Sequence, residues 1–177
     1  MALLGATDGA TLMTQTTLPS PAQPSVGALL DRTAALLGGA KLLKSAPQSP
    51  VEIHHLLVNG LPKASLNHMI RHVKVLRLAD IHHAIGISVR TGQRARGATA
   101  AQERKPLTKE QSGRTWEFAE VLAAATEVFG SQEAAETWMQ RPAMGLNHER
   151  PIDLLATPAG TAMVKNFLTR LEYGVYT

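Results

Sequence analysis

Seven histidines are the first residues in this 177-residue chain that invite a chemical question. His54-His55 and His82-His83 are adjacent pairs, while His68 and His72 stand four apart and share a face if their segment is helical. A zinc site needs three or four converging ligands, usually backed by carboxylates. Asp and Glu are sparse around these histidines, there is no cysteine, and HExxH is absent. The histidines therefore read as surface or partly buried side chains, with no metal site and no cofactor. Glu133 with Glu136, and Glu117 with Glu120, read as solvated helix faces rather than acid/base pairs. Asp153, beside two leucines, is expected to satisfy backbone N–H groups near a helix start. GxSxG, a phosphate-cradling glycine loop and a dinucleotide fingerprint are all missing, so nothing points to an enzyme.

The second constellation is basic. Between Arg71 and Arg114 lie ten basic side chains against three acidic ones, whereas the stretch from Thr115 onward carries four basic and eight acidic residues. A basic middle suits an anionic partner and an acidic end does not. Within the middle, LADIHHAIGISVRTGQRAR resembles a helix-turn-helix. Gly86 would take the tight turn, Ile85 and Ile87 would anchor it in the core, and Ser88 would cap a helix entering the major groove. Arg90, Gln93 and Arg94 would then reach bases or phosphates: Arg pairs with guanine and Gln with adenine, while Thr91 is better placed for a phosphate. His82 stands where such motifs usually carry Ala. Gly92 stands where they usually carry Leu, and a glycine inside a helix costs about 1 kcal/mol relative to Ala.

The elements that must carry these residues read as helices. Hydrophobic residues are 44% of the chain and aromatics only 4%, with Ala and Leu prominent, which favours helix over strand. Residues 1–24 end on Pro19, Pro21 and Pro24 and have the composition of a weakly ordered segment. A helix is expected from Ser25 to a stop at Gly38-Gly39, then a linker marked by Pro47 and Pro50. Four short helices should follow: Pro50 to Val58, Lys63 to Val73, Leu78 to Ile85, and one beginning at Ser88. Thr108 with Gln111 forms a capping box for a helix running to Phe129, with Gly130 as its cap. Its apolar face (Thr115, Phe118, Ala119, Leu122, Ala125, Thr126, Phe129) should pack on the C-terminal part. Ser131 caps a helix carrying Ala135, Trp138 and Met139; Pro151 starts another; and Thr157-Pro158 opens the last, with Pro at its first position. Along that last helix Ala159, Ala162, Met163, Phe167, Leu168 and Leu171 recur at helical spacing, and Gly174 should end it in a left-handed cap. No apolar run approaches membrane-spanning length, and the first residues lack a basic leader pattern, so a cytoplasmic protein with no membrane partner is expected.

The final stretch carries a family resemblance. Trp138, Pro142, Gly145-Leu146-Asn147, Pro151-Ile152-Asp153-Leu154-Leu155-Ala156-Thr157, Gly160, Val164, Leu168 and Arg170-Leu171-Glu172-Tyr173-Gly174-Val175-Tyr176 together resemble the toxin-binding domain of the Xre/MbcA/ParS antitoxins. The resemblance is close over about the last 60 residues and looser back to about Pro47. It implies an all-α fold, with a helix-turn-helix-containing N-terminal bundle over 25–106 and a small C-terminal helical toxin-binding domain over 107–177. It further implies an antitoxin of a type II toxin–antitoxin system whose partner is a RES-domain toxin, a class that degrades NAD or transfers ADP-ribose. The antitoxin would occlude that toxin's active site with Arg170, Glu172, Tyr173, Gly174, Val175 and Tyr176. It would form a homo-oligomer within a hetero-oligomeric complex and repress its own operon by binding operator DNA. The alternative is a stand-alone helix-turn-helix transcriptional regulator whose C-terminal part only dimerises it.

Overall fold

A computed structural model of the protein describes residues 26–87 and 105–174. Those residues are helical, with no strand among them and only two isolated bridges, Pro62 to Pro106 and Ala143 to Glu149. The order is α1 (Val26–Leu36), α2 (Gly39–Leu43), α3 (Pro50–Asn59), α4 (Lys63–His72), α5 (Leu78–Ile85), α6 (Lys109–Phe129), α7 (Gln132–Met139), a 3-10 turn (Met144–Leu146), α8 (Pro151–Leu154) and α9 (Pro158–Glu172).

Local chemistry sets most of these boundaries. The Thr108 hydroxyl accepts from the Gln111 N–H at 3.2 Å, and the Gln111 side chain accepts from the Thr108 N–H at 3.3 Å, so two otherwise orphaned donors are satisfied reciprocally. Ser49, Ser131 and Thr157 cap α3, α7 and α9 in the same single-sided way, accepting from the N–H groups of Glu52, Ala134 and Gly160. Gly130 and Gly174 turn the chain out of α6 and α9 at φ 79° and 65°.

The expected stop at Gly38-Gly39 is only a corner. Both glycines have positive φ, and the chain resumes at once as α2, which buries Leu43. Composition around Lys41 and Lys44 hides this helix, because one buried leucine in a five-residue segment leaves no periodic signal.

The axis of the fold is α6. It packs on α1, α7 and α9, and more lightly on α3 and α5. The expectation of a single apolar face is corrected here: Ser112, Thr115, Trp116, Phe118, Ala119, Val121, Leu122, Ala123 and Ala125 are all buried. A helix enclosed on most sides shows little amphipathic periodicity, so one-face reasoning missed Trp116, Val121 and Ala123. Small residues at Ala119, Ala123 and Ala125 let neighbouring helices approach closely. One continuous core runs from Leu30 in α1 and Leu37 just past its end through α6 to Val164 and Leu168 in α9. Two partly exposed ion pairs cross to the same helix, Arg32 to Glu127 at 2.9 Å and Lys165 to Glu120 at 2.8 Å.

Candidate functional site

The end of α9 is the first candidate surface. Thr157 caps the helix, and Gly160 permits it to lie against α8: a Cβ at this position would sit 2.1 Å from the Leu154 carbonyl oxygen. The face turned inward is Gly160, Thr161, Val164 and Leu168, with Phe167 and Leu171 half-buried. This corrects the apolar stripe read from spacing, since Ala159, Ala162 and Met163 are exposed. The helix is rotated because Gly160 must face the α8 backbone, which turns its neighbour Ala159 outward.

Of the residues singled out for this surface, Arg170, Glu172, Tyr173 and Gly174 stand together on the exposed end of α9. Tyr173 is 58% exposed, and no atom would crowd a side chain added at Gly174. Val175 and Tyr176 lie outside the described residues.

Beside this end runs a column of rings. Phe129 and Trp138 lie 5.0 Å apart between centroids, Trp138 stacks on Phe167 at 6.2 Å with planes 8° apart, and the Arg170 guanidinium stands 5.9 Å over the Phe167 ring. Such contacts favour one arrangement of the rings beyond mere burial. Gly145 makes room for the column, since a Cβ there would fall 2.2 Å from the Phe167 ring. Met144, at 83% exposed, and Met163 extend the apolar surface at its margin. Spacing alone set Phe167 among the recurring apolar positions of the last helix and gave no reason to group it with Trp138 and Arg170.

Helix α7 grips the N-terminal bundle. Glu136 is fully buried, and its Oε2 accepts from the backbone N–H groups of Lys74, Val75 and Leu76 at 2.9, 2.5 and 3.2 Å. Gln132 donates to the other carboxylate oxygen at 2.6 Å and to the His72 carbonyl at 2.8 Å. Gln140 donates to the Val75 carbonyl at 2.8 Å, and Glu133 pairs with Lys74. Reading Glu136 as solvated was therefore wrong: its partners lie some sixty residues away in sequence, where local pattern cannot reveal them. Asp153 also differs from expectation. It forms a two-pronged pair with Arg150, both contacts 2.6 Å, and that hydrogen-bonded guanidinium holds its carboxyl below the usual carboxylate range. Arg150 reaches on to Asp80 of α5 at 3.5 Å.

The second candidate surface begins at α5. Gly86 caps this helix in the left-handed region at φ 71°, and the Ile87 N–H bonds back to the His82 carbonyl at 2.9 Å. Ile85 and Ile87 are buried, as is His82. Gly86 thus ends α5 as the expected turn requires, with Ile85 and Ile87 in the core. Ser88, Arg90, Thr91, Gln93 and Arg94, with Gly92, lie outside the described residues. No group of three or more His, Asp or Glu is placed to hold a metal among the described residues.

Residues 124–174, which span the column, the gripping helix and the end of α9, match the family described as Antitoxin Xre/MbcA/ParS C-terminal toxin-binding domain. Over these residues the chain is similar to the toxin-binding domain of the Xre/MbcA/ParS antitoxins. A protein named Antitoxin Xre from Yersinia enterocolitica is 37% identical over 100 residues, covering 56% of this chain and 64% of that protein. Proteins of the same name from Photorhabdus laumondii and Pseudomonas putida are 28% identical over 124 residues and 31% identical over 70; these matches cover 80% and 44% of their lengths. Within residues 124–174, Gly145 and Gly160 of the family-like pattern are the two glycines where a ring or a backbone carbonyl leaves no room for a side chain.

Proposed function

We propose that this protein is the antitoxin of a type II toxin–antitoxin pair, that its partner is a RES-domain toxin acting on NAD, and that it works by occlusion. The observation that carries the reading is the exposed end of α9, where Arg170, Glu172, Tyr173 and Gly174 project from a helix fixed along its other side by Gly160, Val164 and Leu168. Groups held on a fixed helix lose little conformational freedom on entering a partner's pocket. Tyr173 offers a ring with a hydroxyl, a favoured anchor. Glu172 supplies a carboxylate for a basic group that would otherwise hold the pyrophosphate of NAD. Val175 and Tyr176 would complete the inserted end. The antitoxin works in the cytoplasm, forms a homo-oligomer within its complex with the toxin, and has no catalytic role.

The anchored turn at Gly86 and the basic stretch after it favour a second activity, repression of the protein's own operon through Ser88, Arg90, Thr91, Gln93 and Arg94. A stand-alone regulator would share that activity and differ in having no toxin to neutralise. Co-expression with an inducible RES-domain toxin from the adjacent gene separates the two. The full chain should rescue growth and co-elute with the toxin, and deletion of Tyr173 to Thr177 should abolish rescue while circular dichroism shows the helices intact. Full rescue by the truncated protein would overturn the occlusion reading. Failure of the full chain to rescue would favour the regulator.

A further inference from the structure

The C-terminal two turns of α4 bring two imidazoles together. His68 and His72 stack with centroids 4.1 Å apart and planes 27° apart. The Nδ1 of His68 lies 3.1 Å from the carbonyl oxygen of Leu36 at the end of α1, and the Nδ1 of His72 lies 2.8 Å from the carbonyl oxygen of His68. A backbone carbonyl only accepts, so in both neutral rings the proton sits on Nδ1 and the lone pair is left on Nε2. Metal-ligating histidines are commonly fixed in this way, one ring N–H on a carbonyl and the other nitrogen presented to the ion.

We propose that His68 and His72 form a two-imidazole site for a borderline divalent transition metal such as Ni²⁺, Zn²⁺ or Cu²⁺. Imidazole suits these ions, whereas Mg²⁺ and Ca²⁺ prefer oxygen. The i,i+4 spacing puts both side chains on one face, and an ion shared by the two Nε2 atoms would sit about 2.0–2.1 Å from each. His68 is half-buried against α1 and His72 is exposed, so one ligand is held and the other open to solvent. Water or small anions fill the remaining positions, which makes the site open rather than the closed four-ligand kind. His54 and His55 supply the internal contrast: as neighbours in sequence they diverge around α3, their rings edge to face at 65° and 5.7 Å apart. A bound ion would tie together the last turns of α4, directly ahead of the segment that Glu136 holds.

The test uses the full-length, untagged protein and NiCl₂. Differential scanning calorimetry should show the melting temperature rising by about 5 °C at saturating metal, as expected for an ion that binds the folded chain some hundredfold below its concentration. His72→Ala, at an exposed position, should keep the metal-free melting temperature and lose the shift. His68→Ala should lose it as well, and the double variant His54→Ala/His55→Ala should keep it in full. In ¹H–¹⁵N spectra of the wild type, the Nε2 signals of His68 and His72 should be the ones that shift with Zn²⁺. No shift in the wild type, or an undiminished shift in His72→Ala, overturns the proposal.

Discussion

Replacing Glu136 by Ala should be among the most damaging changes available in this chain. Its buried carboxylate satisfies three backbone donors of the segment entering α5, together with the Gln132 amide. Hydrogen bonds to a charged acceptor contribute about 1.5–3 kcal/mol each before relaxation, and a donor left buried and unmet costs about 1–3 kcal/mol. Water can reach the N–H groups of Lys74 and Val75, whose residues are exposed, but less readily that of Leu76, which is buried. One orphaned donor, a small cavity and the loss of charge assistance together suggest about 3 kcal/mol, a large share of the roughly 5–15 kcal/mol that holds a domain folded. Glu136→Gln keeps an acceptor in place and removes the cost of burying a charge, so its loss should be nearer 1 kcal/mol. Urea unfolding followed by circular dichroism measures both. Hydrogen exchange should show faster exchange at Lys74, Val75 and Leu76 in the Ala variant, with α6 much less affected. Refutation would be Glu136→Ala within about 0.5 kcal/mol of wild type and unchanged protection at those three amides, the range expected of an ordinary surface change.

Gly160→Ala would gain about 1 kcal/mol at an open helical position. Here the new Cβ meets the Leu154 backbone, so thermal unfolding should instead show a net loss of about 1–3 kcal/mol. Asp153→Asn should cost about 0.5–1 kcal/mol at pH 7, discounted for solvent around a partly exposed pair. Because the folded carboxyl titrates below its unfolded value of about 3.9, that stabilisation is complete above the unfolded value and is lost as the pH falls through the folded one. Denaturation curves of variant and wild type should therefore converge in strong acid. Arg90→Ala and Arg94→Ala should each weaken operator binding by about 1–3 kcal/mol in a gel-shift titration where they pair with bases, while toxin neutralisation persists.

Much of the fold is legible because helix ends are local chemistry. Thr108 with Gln111, Thr157 before Pro158, and the glycines at 86, 130 and 174 each act within four residues of themselves, and each was readable at its place. What escaped is what depends on distant partners. Glu136 sits three residues after Glu133 on a short helix, a pattern that looks solvated until the segment at Lys74 is laid across it. The facing of α9 is set by the Leu154 carbonyl rather than by apolar spacing, which counted Ala162 and Met163 in the stripe though both are exposed. At the candidate site, the exposed end of α9 followed from Gly174 alone, whereas the ring column joins Phe129, Trp138 and Phe167 from three separate helices and has no signature along the chain.

The column also gives the protein an optical asymmetry. There are two tryptophans. The indole of Trp116 is sealed in the core at 3% exposed, while that of Trp138 is half-open between two phenylalanines, at the margin of the surface proposed to meet the toxin. Excluding water from an indole shifts its emission to the blue. A partner covering the column would therefore change the colour of one tryptophan and leave the other as a fixed reference. Trp116→Phe isolates the responsive one, and docking can then be followed in real time without any attached dye.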